Sequence, residues 1–503
     1  MLLTTVVAAS EAVAATRSRK AKVAELAALL RQAGPGERAA VVAFLSGQLT
    51  QGRLGVGWRT LSALEAEPTA EPQLTVTEVD QALTAIAETP PGPGSTTARL
   101  TVLQQLFRRA TEAEQRFLVQ LILGELRQGA LEGVMLDGIA AASGAPAESV
   151  RRAFMLSGRL PETAAAALSG DPAALDSFRL ELGRPVRPML ASPAGSLSEA
   201  MEVHDRSVVE YKLDGARIQV HKYDGRVRIW TRTLREITPH VGELAELVRA
   251  LPCRSVVLDG ETLALTDNGR PRPFQETQAR FGATSEEQVR ALLLRPYFFD
   301  CLHVDGVDPL DAPLHERREA LHSVADEHVI PGEVGPDDPD QVLSSALTDG
   351  HEGVVVKNLD SAYAAGRRGK AWLKVKPVHT LDLVVLGAEW GHGRRTGYLS
   401  NLHLGARDPD GGPPIMVGKT FKGLTDELLR WQTEVFPRYA VESTDWLVRM
   451  RPALVVEIAL DGVQRSSRYP GGVALRFARV VRYRPDKTPA EADTIDTVRA
   501  MLR

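Results

Sequence analysis

A chain of 503 residues is too long for one core and divides on size grounds into about three domains. Its composition, 44% hydrophobic and 25% charged, is that of ordinary soluble globular protein, and its two cysteines, Cys253 and Cys301, exclude a disulfide framework and a four-cysteine zinc site. A net charge of -4 gives no overall nucleic-acid signal but hides local asymmetry: residues 465–487 hold seven basic groups and one acid, and residues 365–376 hold five basic groups and none.

The first fifteen residues are apolar but carry Glu11 and run into Arg17, Arg19, Lys20 and Lys22, the reverse of a secretory signal's charge order. No later apolar run reaches membrane-spanning length, so a cytoplasmic protein without a membrane partner is expected. From Ala21 to about Gly170 the apolar spacing is helical, as in Leu103, Leu106 and Phe107, then Phe117, Leu118 and Leu121. Thr111 with Glu114 predicts a capping box, and the run from Pro90 to Ser95 breaks the region in two. Each half carries a similar stretch, Gly47-Gln48-Leu49-Thr50-Gln51-Gly52 and Gly124-Glu125-Leu126-Arg127-Gln128-Gly129, which predicts paired helical subdomains. Glycines that merely end helices are the simpler reading of that pair.

At Leu182 the period becomes strand-like, with Pro185 and Pro188 marking the change. Ile218 and Val220, then Val227 and Ile229, alternate across Tyr223-Asp224-Gly225, a hairpin signal. Further strands are predicted at Ser255–Leu258, Tyr297–Leu302, Gly353–Lys357 and Trp372–Val375, giving an α+β middle third on antiparallel strands. From Leu381 onward five short strands and one helix, near Thr425 to Tyr439, make the inventory of an OB-type β-barrel.

The chemistry centres on Glu210-Tyr211-Lys212-Leu213-Asp214-Gly215-Ala216-Arg217, where a lysine lies between an apolar run and an Asp-Gly turn. Alone this is equally well a surface turn. Downstream come Asp259-Gly260-Glu261, a carboxylate at a strand exit suited to a ribose hydroxyl or a divalent metal; Phe298-Phe299-Asp300, an aromatic face suited to a base; and Glu352-Gly353 ahead of Lys357. Lys374 and Lys376 share one strand face, where an anion between them would relieve their repulsion. Each has a bland alternative as core aromatic, turn or solvated lysine. The histidines at 221, 303, 351, 392 and 403 lack metal-ligand spacing.

Taken in order from Lys212 to Lys487, these motifs resemble the nucleotidyltransferase superfamily of ATP-dependent DNA ligases and messenger-RNA capping enzymes. Arg184-Pro185-Val186-Arg187-Pro188-Met189-Leu190-Ala191 is similar to the ligases' entry to the catalytic domain, the run from Arg476 to Lys487 to their C-terminal motif, and the 124–129 stretch to one in their helical DNA-binding domain. Lys419-Thr420-Phe421-Lys422-Gly423 departs from the common pattern, which is less aromatic and richer in glycine. The resemblance implies a multidomain chain: an all-α DNA-binding domain at 1–181, an α+β adenylation domain at 182–380 and an OB-fold domain at 381–503. It implies a DNA ligase that uses ATP with Mg²⁺, Mn²⁺ being a substitute, and seals nicked double-stranded DNA as a monomer encircling the duplex.

By the same resemblance Lys212 becomes a lysyl-AMP, Glu210 reads the adenine amino group, Arg217 and Glu261 hold the ribose and Phe299 stacks on the base. Lys357, Lys374 and Lys376 contact phosphates, Glu261 and Glu352 support metal, Asp214 organises the pocket, and Arg232 takes the DNA 5′-phosphate. Arg476, Arg479, Asp486 and Lys487 belong to the C-terminal motif that swings over ATP, Asp382 is a hinge, and Arg127 touches DNA. An RNA ligase or capping-type enzyme, and a non-catalytic nick or end binder, are the alternatives; the long helical region disfavours the first and the intact motif positions the second.

Overall fold

The computed structural model describes residues 1–52, 54–126, 128, 132–171, 173–272, 274–281, 292–365 and 369–502. The chain forms two compact units, Met1–Ser345 with Val355–Lys374, and Ala346–Val354 with Val375–Arg503.

The first unit begins with ten helices among the described residues, from Leu3–Ala15 to Leu160–Ala167. Helix starts earlier than expected: in Leu3–Ala15 the residues Leu3, Val6, Val7 and Val13 are buried, so this apolar stretch is core. The capping box is present, with the Thr111 hydroxyl accepting from the Glu114 N–H and the Glu114 carboxylate accepting from the Thr111 N–H at 2.8 Å. The 90–95 break separates the helices Val76–Ala87 and Ser95–Arg108. The two repeated stretches abut. Gly47 and Gly124 end their helices at φ +67° and +68°, Leu126 packs against Gly47, and the Gln128 amide donates to the Leu45 carbonyl. Arg127, Gly129 and Leu131 lie outside the described residues.

The strands of this unit are β1 (Ala191–Pro193), β2 (Ser207–Lys212), β3 (Ala216–Tyr223), β4 (Arg226–Thr231), β5 (Val256–Ala264), β6 (Leu294–Val304), β7 (Gly332–Val334), β8 (Gly353–Asn358) and β9 (Gly369–Val375). One sheet runs β4-β3-β5-β6, antiparallel throughout, and the other β1-β9-β8-β2-β7. Antiparallel pairing is not universal, because β1 joins β9 in parallel. The first sheet buries Ile218, Val220, Ile229 and Leu258 with Leu244 and Val248 of the helix Gly242–Ala250 and Leu321 of the helix Leu314–Ala325.

The second unit holds β10 (His379–Trp390), β11 (Leu399–Ala406), β12 (Ile415–Thr420), β13 (Ala440–Ser443), β14 (Leu447–Met450), β15 (Val455–Leu460), β16 (Gly462–Arg465), β17 (Val473–Arg476) and β18 (Arg479–Tyr483). The order is β12-β11-β10-β14-β13, with β15 joining β10 to β18, and β16 pairing β17 separately. The five expected strands are all present, and β13, β14, β16 and β17 add four more of four residues each. Runs that short cover two side chains per face and leave little alternation to read. The expected helix is Asp426–Val435, N-capped by Thr425. Among the described residues no helix is long and apolar enough to cross a membrane.

Candidate active site

Glu210 and Lys212 lie two apart on β2 and so share a strand face. The chain then turns through Leu213-Asp214-Gly215 into β3, and this turn packs on β5: a Cβ on Gly215 would lie 2.4 Å from the Thr262 carbonyl oxygen and 2.6 Å from the Leu263 side chain. Glycine is required here for close approach. On β3, Arg217 stands opposite Glu261 of β5, which stands opposite Tyr297 of β6, so the three side chains form one row across the sheet.

Arg217 forks onto Asp259 at 3.0 and 2.6 Å, donates to the Met189 carbonyl at 2.6 Å and lies 5.3 Å from the Phe299 ring. Burial opposes its charge most strongly of any one cause, but Asp259, Tyr363 and Glu261 together hold the guanidinium above its ordinary range. The Tyr363 hydroxyl donates to Asp259 at 2.6 Å and accepts the Met189 N–H at 3.0 Å. Arg217 is thereby locked in place.

Glu210 is 1% exposed and held by two cations, Lys357 at 2.5 Å and Arg318. The Lys357 amine sits 4.5 Å over Phe299 and 4.3 Å over Trp372. Burial pulls its proton affinity down, and Glu210 and Asp300 restore only part of it. Arg317 and Asp300, each fully buried, pair at 2.7 and 3.0 Å. Phe299 meets Trp372 edge-on at 5.8 Å, in a cluster that also takes in Leu213 and Tyr363.

Contacts link Glu210 to Lys357, Lys357 and Arg217 to Phe299, and Arg217 to Glu261 across the β3–β5 pair, while Lys212 lies on β2 two residues from Glu210 and Lys374 on β9 two residues from Trp372. Arg232 is exposed in the turn after β4. The sequence reading missed Arg317, Arg318 and Tyr363 as partners of its motif residues. A pair of adjacent arginines on the face that carries Leu314, Leu321 and Val324 of a largely polar helix was the local signal for the first two.

The remaining expected residues belong to the second unit. Lys376 pairs with Glu352 at 2.8 Å and lies 3.5 Å from Asp461. Asp382 lies within β10, opposite Glu457, and accepts from Arg484 at 3.0 and 3.1 Å and from Lys487 at 2.6 Å. Asp486 also binds Arg484, whose guanidinium holds the Asp486 carboxyl down at about 2. Arg476 ends β17, and Arg479 is exposed at the start of β18. Among the described residues no group of three or more His, Cys, Asp or Glu is gathered to hold a metal.

Three family models match: DNA ligase N terminus over residues 61–140, ATP dependent DNA ligase domain over 188–376, and ATP dependent DNA ligase C terminal region over 395–487. The chain is 65% identical to a probable DNA ligase of Saccharopolyspora erythraea, over 99% of this chain and 98% of that one. It is 53% identical to DNA ligase B of Mycobacterium tuberculosis, over the full length of both. A solved structure described as Pmar-Lig_Pre shares the fold at a TM-score of 0.60 and 16% identity, covering 95% of this chain and 99% of that one. With matches of this identity along its whole length, the chain belongs to the ATP-dependent DNA ligase family and is an enzyme of that kind.

Proposed function

We propose that the enzyme seals single nicks in duplex DNA through Lys212. The observation that carries this is the placement of Lys212 two residues along the strand face from Glu210, an anionic acceptor fixed by Lys357 and Arg318. The Lys212 amine attacks the α-phosphate of ATP and releases pyrophosphate; AMP passes from lysine to the 5′-phosphate at the nick; the 3′-hydroxyl then attacks that phosphate and expels AMP. Phosphoryl transfer of this kind depends mainly on positioning and charge neutralisation.

Glu210 accepts from the adenine amino group. Phe299 offers an aromatic face to the base, while Arg217 and Glu261 hold the ribose. Lys357, Lys374 and Lys376 neutralise phosphates and Arg232 takes the 5′-phosphate. Asp214 shapes the lysine turn. Mg²⁺ characteristically uses one or two protein carboxylates and completes its shell with substrate phosphates, so Glu261 and Glu352, each taken singly, have the oxygen chemistry that would suit it, and Mn²⁺ would take the same oxygens. When bound, the ion supplies charge neutralisation at the phosphates.

In the C-terminal motif, Arg476, Arg479, Asp486 and Lys487 orient pyrophosphate, and Asp382, which binds Lys487 and Arg484, is the hinge candidate. The domains are assigned as helical DNA-binding 1–181, adenylation 182–380 and OB-fold 381–503, acting as a cytoplasmic monomer around DNA. The deciding experiment mixes the protein with α-labelled ATP and Mg²⁺ and then denatures it. Label stays on the wild type and is absent from Lys212→Ala; label retained by that variant sinks the assignment. Offering nicked DNA and RNA ends in parallel separates the recipient classes.

A further inference from the structure

The basic run 465–487 is not used uniformly. At its far end Arg482 pairs with Glu457, and Arg484 and Lys487 pair with Asp382. At its near end no carboxylate lies within ion-pair distance of Arg465 or Arg468 among the described residues. Arg465 closes β16, and the loop from Ser466 to Gly472 returns the chain to β17.

That loop is built to a fixed shape. The Ser466 N–H donates to the Gly472 carbonyl at 2.9 Å, the Gly472 N–H to the Tyr469 carbonyl at 3.0 Å, and the Arg468 N–H to the Ser466 hydroxyl at 3.2 Å. It is also pinned to the helix Ile495–Ala500. A Cβ on Gly471 would fall 2.8 Å from the Ile495 side chain, and Arg499 donates to the Gly471 carbonyl at 3.3 Å. Below them Val463 bridges to Leu502.

Loop and helix enclose an open cleft of about 470 Å³ lined by Arg465, Ser466, Ser467, Val473, Arg499 and the backbone of Gly471 and Gly472. Among the described residues no carboxylate lines it, and Leu502 completes the lining. Asp496 stands 3.5 Å from Arg499 with both side chains about half exposed or more, a pair that water screens heavily. Two guanidinium groups beside two hydroxyls make a wall rich in donors and carrying positive charge, which suits the acceptor oxygens of a phosphate.

We infer that this cleft is an anion site of the second unit that takes one phosphodiester of the DNA backbone. The inference rests on the nick-sealing reading above and adds a contact to it. Each phosphate neutralised in B-DNA contributes about 0.9 to the slope of log affinity against log salt. Nicked duplex is titrated in EDTA by fluorescence anisotropy over a range of salt, with the full-length protein, Arg465→Ala, Arg465→Ala/Arg499→Ala and Arg465→Lys.

The expected result is a slope about one unit shallower for the double variant, an intermediate or equal loss for Arg465→Ala, and a wild-type slope for Arg465→Lys, with lysyl-AMP formation unchanged in all. A double variant whose slope equals that of the wild type overturns the site, and so does weaker binding without a change of slope. Arg465→Ala, which leaves the Arg499–Gly471 bond intact, keeps the test decisive where the double variant melts early. Failure of the wider reading shows in the wild type itself, as an affinity insensitive to salt, whereas failure of this site shows only in the difference between proteins.

Discussion

Glu210 and Asp300 are carboxylates with at most 1% exposure, and adjacent arginines of one helix, Arg318 and Arg317, reach one each. An ion removed from water costs several kcal/mol unless paired, so the two pairs fix the helix Leu314–Ala325 in register against β2 and β6. His221 follows the opposite logic. Buried with Nδ1 accepting the Gly183 N–H at 3.0 Å and Nε2 donating to Gln219 at 3.0 Å, it is held neutral, and burial pushes its pKa down to about 3. The unfolded chain takes up a proton near the ordinary histidine value while the folded chain does not, so this group's stability is complete above about pH 6.5 and lost as pH falls toward 3. Between pH 7 and pH 5 the loss is about 2 kcal/mol from this residue. Urea unfolding at both pH values, on wild type and His221→Gln, gives that amount as the difference in pH dependence; equal pH dependence removes the account. The candidate site residues stand out in sequence because each lies in a short local pattern of residue types. Arg317, Arg318 and Tyr363 were not, because their partners lie 17, 108 and 104 residues away.

At the scale of elements, the Asp-Gly turn after Lys212 shows how a local pattern is correct for a reason that sequence does not display. Gly215 does not adopt a left-handed backbone; it allows the β2–β3 turn to lie on β5. Gly215→Ala therefore forces backbone apart instead of straining one torsion, with a cost of about 1–3 kcal/mol. Because the displaced segment carries Lys212, lysyl-AMP formation slows as well. Thermal melting with a timed label-transfer assay checks both, and a variant with the wild-type rate and melting temperature defeats the close-approach account. Elements with strong periodicity or turn chemistry were readable: the Thr111 capping box, the β3–β4 hairpin at Asp224-Gly225 and the long strand cores. In the helix Leu3–Ala15 the buried Leu3, Val6, Val7 and Val13 do stand at helical spacing, but alanines on the other side leave little polar contrast to mark it, and β13 is masked by the exposure of all four residues.

At the scale of the whole first unit, the helical region is not simply tethered to the catalytic sheets. Met155 and Leu156, from the helix Ala147–Ser157, are buried in the same cluster as Val186, Met189, Phe299, Tyr363 and Trp372. The Arg187 N–H donates to the Met155 carbonyl at 3.0 Å, and Arg152 forks onto Asp311 at 2.9 and 2.5 Å. The ion pair is partly exposed and contributes little; the shared apolar core supplies the coupling. Truncating Met155 to alanine leaves a cavity in the cluster that holds Phe299 and Trp372 and costs about 2–5 kcal/mol. Arg152→Ala costs at most about 1 kcal/mol. Both variants are compared by urea unfolding and by the ATP concentration giving half-maximal lysyl-AMP formation. Met155→Ala raises that concentration because Phe299 and Trp372 lose support, whereas Arg152→Ala leaves it unchanged. If Met155→Ala melts early yet binds ATP as the wild type does, the cluster is only scaffolding; if neither property changes, the helical region is energetically separate and the shared core does not couple it to the site.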